Sequence, residues 1–246
     1  MMTPDSILIR PCTTLEEFGR CVELQRLLWS PPERDLVPKE IFVVAQMVGG
    51  HVLGAFEGAE LIGFTLASPG LRSGQNYLYA HMTGILPAYQ DADVRRQLRL
   101  VQREEALAQG FELVEWTFEP LAWEDAHFNL ESLGVVVRRL ERGYYGHSTT
   151  RRLAGLPPAR LVAEWWLQTP RVEATLSGQP PQLVPGRPRV SVPGGGDLRE
   201  TDQAQAERIQ LEVEGQLAGW LEKGYTIVGF ERSREAGTYL LEAHEA

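Results

Sequence analysis

Glu124, Asp125 and His127 lie together in the chain, and two carboxylates beside an imidazole are raw material for a divalent-metal site. On one helix face, without further ligands, they do not complete one, so no metal is expected. Cys12 and Cys21 are the only cysteines, and their number and spacing fit neither a zinc site nor a disulfide scaffold; they read as ordinary packed or exposed thiols. The chain has no Gly-x-Ser-x-Gly elbow and no catalytic-cysteine context. Pro193-Gly194-Gly195-Gly196 invites a phosphate-cradle reading, but no helix-start lysine follows it. Trp165-Trp166, near Pro170, reads first as core packing and second as an interaction surface.

Composition narrows the partners. Twenty-four basic against thirty-three acidic side chains give a formal charge of -9, which argues against binding to a phosphate backbone, so no nucleic-acid partner is expected. With 43% apolar and 23% charged residues, the 246-residue chain can bury a sizeable core. Its apolar runs, such as Ile41 to Ala45 and Val135 to Val137, fall short of the roughly 18 to 20 residues a membrane span needs. No membrane partner is expected. Met1 to Arg10 lacks the layout of a secretory signal, so the expected location is the cytoplasm.

The elements that must position any site follow from periodicity and punctuation. Ile7 to Arg10 reads as a strand ended by Pro11, and Thr13 or Thr14 can cap a helix through Leu15, Phe18, Val22, Leu24 and Leu28. Glu17 stands three residues after Thr14, as a capping box requires, and Pro31-Pro32 stops the helix by Ser30. A second helix over about Lys39 to Val48 ends at Gly49-Gly50. Strands at His51 to Phe56 and Leu61 to Ala67 form a hairpin, a third runs from about Tyr77 to Leu86, and Val94 to Leu107 suits a helix ending at Gly110. Leu113 to Phe118 reads as a strand, Pro120 to Leu133 as a helix stopped by Gly134, and Val135 to Leu140 as a strand. Beyond Gly146, Leu161 to Leu167 reads as a strand and Thr169 to Gly196 as proline- and glycine-rich loop or linker. Thr201 or Asp202 then caps a helix to about Leu221, and Thr226 to Phe230 with Thr238 to Leu241 suggests a final hairpin. The expected division is a domain over 1–150 and an extension over 151–246 that packs on it or stands apart.

That order, with Gly84-Ile85-Leu86-Pro87-Ala88-Tyr89-Gln90 opening the central helix, resembles the Gcn5-related N-acetyltransferase (GNAT) superfamily over roughly Ile7 to Gly146. Gln102-Arg103, Trp116-Thr117-Phe118-Glu119-Pro120-Leu121, Phe128-Asn129, Leu133-Gly134 and Tyr145-Gly146 are similar to stretches of one group of predicted acetyltransferases that carries a C-terminal extension. The resemblance implies an α/β (α+β) fold, with a central mixed, mostly antiparallel sheet flanked by helices and a C-terminal strand, helix and hairpin. It also implies acetyl-CoA as cofactor and an N-acetyltransferase that transfers directly to an amine.

In the superfamily the strand-to-helix turn carries Gln or Arg, two residues, Gly, one residue, and Gly or Ala. Glycines let the backbone approach the pyrophosphate, and the helix-start amides bind its charge. Here the stretch is Gln90-Asp91-Ala92-Asp93-Val94-Arg95: Gln90 matches, whereas Asp93 and Arg95 replace both glycines. The resemblance places Ile85, Leu86, Gln90, Asp91, Ala92, Asp93, Val94 and Arg95 against the cofactor, and Asn129 against a pantetheine amide. Asp91 and Asp93 would repel the pyrophosphate, by about 4 kcal/mol per charge pair at ~4 Å if the effective dielectric is ~20. Arg95, Arg99 and Arg103 share a helix face, either as compensation or as a solvated surface.

The superfamily's tyrosine acid aligns with Leu130, which has no phenol; Tyr144 and Tyr145 lie farther on and are either the alternative acid, reaching the cleft from the next strand, or strand packing. An ammonium acceptor must lose a proton before it attacks, and the candidate bases are His81, Glu115 and Glu119. Two readings follow: an N-acetyltransferase acting on a small-molecule amine, or a GNAT fold whose altered loop has given up CoA chemistry for another ligand or a protein partner. A homodimer built through the extension is compatible with both.

Overall fold

The computed structural model describes residues 7–90, 93–143, 159–179, 185–193 and 203–243. Two compact units divide the chain, Met1–Val114 and Glu115–Ala246. No described helix is long and apolar enough to cross a membrane.

The first unit contains β1 (Leu8–Pro11), α1 (Leu15–Trp29), α2 (Lys39–Met47), β2 (His51–Glu57), β3 (Glu60–Arg72), β4 (Gln75–Ile85) and α3 (Val94–Ala108). Its strands lie in the order β1-β2-β3-β4, each pair antiparallel. Pro11 continues β1, opposite Leu53, instead of ending it; an edge strand tolerates a missing N–H. The capping box at α1 is complete: Thr14 Oγ1 accepts from the Glu17 N–H, and Glu17 accepts from the Thr14 N–H.

β2 is buried almost throughout because helices cover both its faces. Val52 and Phe56 of β2, with Phe64 and Leu66 of β3, pack with Phe18, Leu24 and Phe42 from α1 and α2. Leu53, Ala55 and Ile62 pack with Val94 and Leu98 of α3. Each large apolar side chain so buried contributes about 1.5–3 kcal/mol, and alternation along the strands directs them to the two layers.

The second unit contains most of β5 (Leu113–Phe118), then α4 (Trp123–His127, continuing as a π-helical turn over Phe128–Ser132), β6 (Val136–Glu141) and β7 (Arg160–Trp166). α5 (Pro170–Leu176), β8 (Arg189–Pro193), α6 (Gln203–Leu221), β9 (Tyr225–Arg232) and β10 (Ala236–Ala243) complete it. Strand order is β5-β7-β6-β9-β10-β8, with antiparallel pairing from β7 through β8. Gly134, with φ +73°, turns the chain between α4 and β6, and a Cβ there would stand 2.9 Å from Thr175 Oγ1 and 3.1 Å from Val172 Cα.

Two expectations need correction here. The stretch from Thr169 is not uniform loop: Pro170 occupies the first turn of α5, where its missing N–H costs nothing, and residues 189–193 pair with β10. The helix expected from Pro120 begins at Trp123, and its last turn is π-helical. Residues 194–196 of the glycine run and the expected caps Thr201 and Asp202 lie outside the described residues.

Candidate active site

In the first unit the first candidate, His81, stands on β4. Leu66 pairs with Met82 and Ala67 with Ala80, so His81 is the extra residue of a β-bulge. A bulge bends its strand and re-aims the side chain and peptide groups it carries. Thr65 Oγ1 lies 2.9 Å from Thr83 Oγ1 and donates to the Met82 carbonyl at 3.1 Å, fastening β3 to β4 beside the bulge. His81 keeps a solvent-accessible surface, yet the protein bulk around it pushes its pKa below the ordinary imidazole value. The ring is therefore neutral near pH 7 and able to accept a proton.

β4 ends at Ile85, whose side chain is buried in the α3-facing core, and the Leu86 N–H donates to the Ile62 carbonyl at 2.9 Å. Pro87–Tyr89 makes one 3₁₀ turn, pinned by the Tyr89 hydroxyl donating to Glu57, and Gln90 is exposed just after it. Asp91 and Ala92 lie outside the described residues.

Asp93 caps α3 with φ +57°, in the left-handed region that glycine favours, and its side chain makes no capping hydrogen bond. The backbone conformation expected of glycine is thus present without the glycine. Val94 is fully buried and anchors the helix start, while Arg95 is half-buried.

Arg99 departs from the expected exposed basic face. It is buried, and its Nη1 donates to Gln102 Oε1 at 2.6 Å. Gln102 Nε2 in turn lies 2.9 Å from His51 Nε2. Burial, with the Arg99 charge, lowers His51 to about 4, so that imidazole is neutral. Gln102, held by Arg99, therefore ties α3 to β2 from within the core.

The second unit carries the other candidates. Glu115 on β5 is buried and ion-paired at 2.7 Å with Arg139 of β6; Glu119 pairs with Arg160 at 3.3 Å. A carboxylate so held serves as counter-ion to a guanidinium, because removing either partner strands a buried charge. Leu130 is core, and Tyr144 and Tyr145 lie outside the described residues.

Asn129 is fully buried in the π-helical turn, and among the described residues neither Oδ1 nor Nδ2 has a hydrogen-bond partner, although its own carbonyl accepts from Val135 N–H at 3.0 Å. An orphaned buried amide costs about 1–3 kcal/mol, and π-turns recur at functional sites.

Sequence reasoning missed Glu164. It stands alone among apolar residues on β7, yet it accepts from Arg138 Nη1 at 2.9 Å, Trp166 Nε1 at 3.2 Å and Arg139 Nε at 3.5 Å. A single acid inside an apolar strand was the signal.

No family model matches the chain, and no curated protein does. Solved structures match its fold. A Desulfovibrio desulfuricans protein assigned to the GNAT family superposes with TM-score 0.52 at 12% identity, over 66% of this chain and 99% of that one. Arabidopsis thaliana NAA60 in complex with acetyl-CoA gives 0.52 at 13% identity, covering 65% and 99%. A Salmonella typhimurium protein with its cofactor acetyl-CoA gives 0.51 at 14%, covering 67% and 95%. The fold is that of the GNAT acetyltransferases.

Proposed function

We propose that this protein is an acetyl-CoA-dependent N-acetyltransferase acting on an amine by direct transfer. The observation that carries the reading is the run from β4 into α3: a bulge at His81, then a left-handed Asp93 that keeps the glycine-type turn at the helix start. The fold shared with proteins solved with acetyl-CoA supports it.

The start of α3 fits the cofactor: helix-start amides at Val94 and Arg95 suit a pyrophosphate. Asp93 opposes the fit through its charge. Acetyl-CoA, when bound, supplies an activated thioester. His81 takes the proton from the ammonium acceptor at an imidazole nitrogen, leaving a lone pair on the amine for attack. The β4 peptide groups at the bulge are no longer committed to regular pairing and can orient a carbonyl oxygen.

Calorimetric titration with acetyl-CoA, followed by thiol-release assays over a panel of amines, tests this. Asp93→Gly should tighten binding about tenfold by removing a like charge. His81→Gln should lower kcat and flatten the limb of the pH profile set by the base. No binding by the natural sequence or by Asp93→Gly defeats the reading. Binding gained only in Asp93→Gly favours a fold that has left CoA chemistry for another ligand or a protein partner.

A further inference from the structure

A cavity of ≈ 410 Å³ opens within the second unit, where β6, β7 and the start of α5 come together. That volume is in the range of small-molecule sites, about 300–1,000 Å³. Its apolar surface comes from Val136 and Trp166; its charged lining is Arg138, Glu164 and Arg171.

The three charges are not equivalent. Glu164 is saturated by Arg138, Arg139 and the Trp166 indole N–H, which also fixes the indole plane as a wall. Arg171 Nε donates to the Gly134 carbonyl at 3.2 Å and its Nη2 donates to the Val228 carbonyl. Both acceptors are neutral, and no carboxylate among the described residues forms an ion pair with Arg171. Burial, with the Arg187 charge, pushes its pKa down, only partly offset by Glu131 and Glu242. A desolvated guanidinium held by neutral carbonyls gains from a counter-anion.

Two guanidiniums against one carboxylate leave a single net positive charge, which suits a monoanion better than a dianion. We propose that this cavity binds a small monocarboxylate with an apolar or aromatic body, its carboxylate on Arg171 and its body against Trp166 and Val136. The site is independent of the acetyltransferase reading, since it uses none of the residues given to that reaction.

Calorimetry on the full chain with 4-phenylbutyrate, and with 4-phenylbutyramide as its neutral isostere, is the test. The carboxylate should bind saturably at one site, and the amide and Arg171→Gln should each lose about tenfold or more in affinity. Arg171 also braces two carbonyls, so a second variant is needed. Val136→Trp fills the cavity and leaves every charge in place; it should abolish binding with the unfolding midpoint retained. Saturating acetyl-CoA should leave binding unchanged. Equal affinity for acid and amide, unchanged affinity in Val136→Trp, displacement by acetyl-CoA, or no binding at millimolar probe would each overturn the proposal.

Discussion

In the first unit, β2 and β3 bury aromatic and aliphatic side chains on both faces, and the charge among them, Arg99, meets the neutral chain Gln102–His51. In the second, β5, β6 and β7 bring full charges together: Glu115 with Arg139, and Glu164 with both Arg138 and Arg139. Each unit is therefore vulnerable to a different change. An apolar core loses stability in proportion to the volume removed, whereas an ion-pair group loses it when one charge is stranded.

The largest effect should come from Phe64→Ala, which empties a site between Trp29 and Phe42 and should cost about 3–5 kcal/mol in denaturant unfolding. Glu164→Gln should cost about 2–3 kcal/mol; the side chains of Arg138 and Arg139 keep 35% and 32% of their surface in water, which softens the penalty. Adding Arg138→Gln should cost less than the two single changes summed, because the pair is coupled. Strict additivity would mean that the charges do not act as a group, and the contrast between units would fail.

Smaller effects sharpen the polar side of the first unit. For Glu17, burial acts to raise the pKa but is outweighed by the Thr13 N–H, the Arg10 side chain and the Thr14 N–H, which together lower it to about 2. Its contribution is fully present above the unfolded value of 4.5 and is lost as pH falls from there toward 2. Glu17→Gln should cost about 1–2 kcal/mol at neutral pH and flatten that acid limb. His51 is lowered from 6.5 to about 4, so the unfolded chain binds more protons between those values. Stability is complete above 6.5 and falls with pH toward 4, by about 1 kcal/mol between pH ~7.5 and ~6. In a His51→Gln variant that slope should disappear, and its persistence would show that another group titrates there.

Much of this molecule is carried by neighbouring residues. The Thr14–Glu17 box, the Pro31-Pro32 stop, the Gly49-Gly50 end and the change of period at Val94 are local, and the elements over residues 8–141 obey them closely. Gln90 and the Asp93 turn were legible as candidates only through resemblance to a known loop, because no short-range rule marks them. Pro170 reads as loop in the sequence and starts a helix in the fold, because proline suits either a helix start or a helix stop and the residues beyond it decide which.

What the sequence by itself determined was the order of elements and the α/β class, since capping, turn chemistry and periodicity act over a few residues. Tertiary structure alone decided the use of the charged groups. Glu115 looks the same in the sequence whether it is a base or a counter-ion; Arg139, 24 residues away, makes it a counter-ion. Arg99 looks like a surface cation until β2 brings His51 beneath it, and Arg171 becomes a site only where Gly134, Val228 and Trp166 surround it. A charge takes its role from the dielectric and partners around it, and those are properties of the folded neighbourhood.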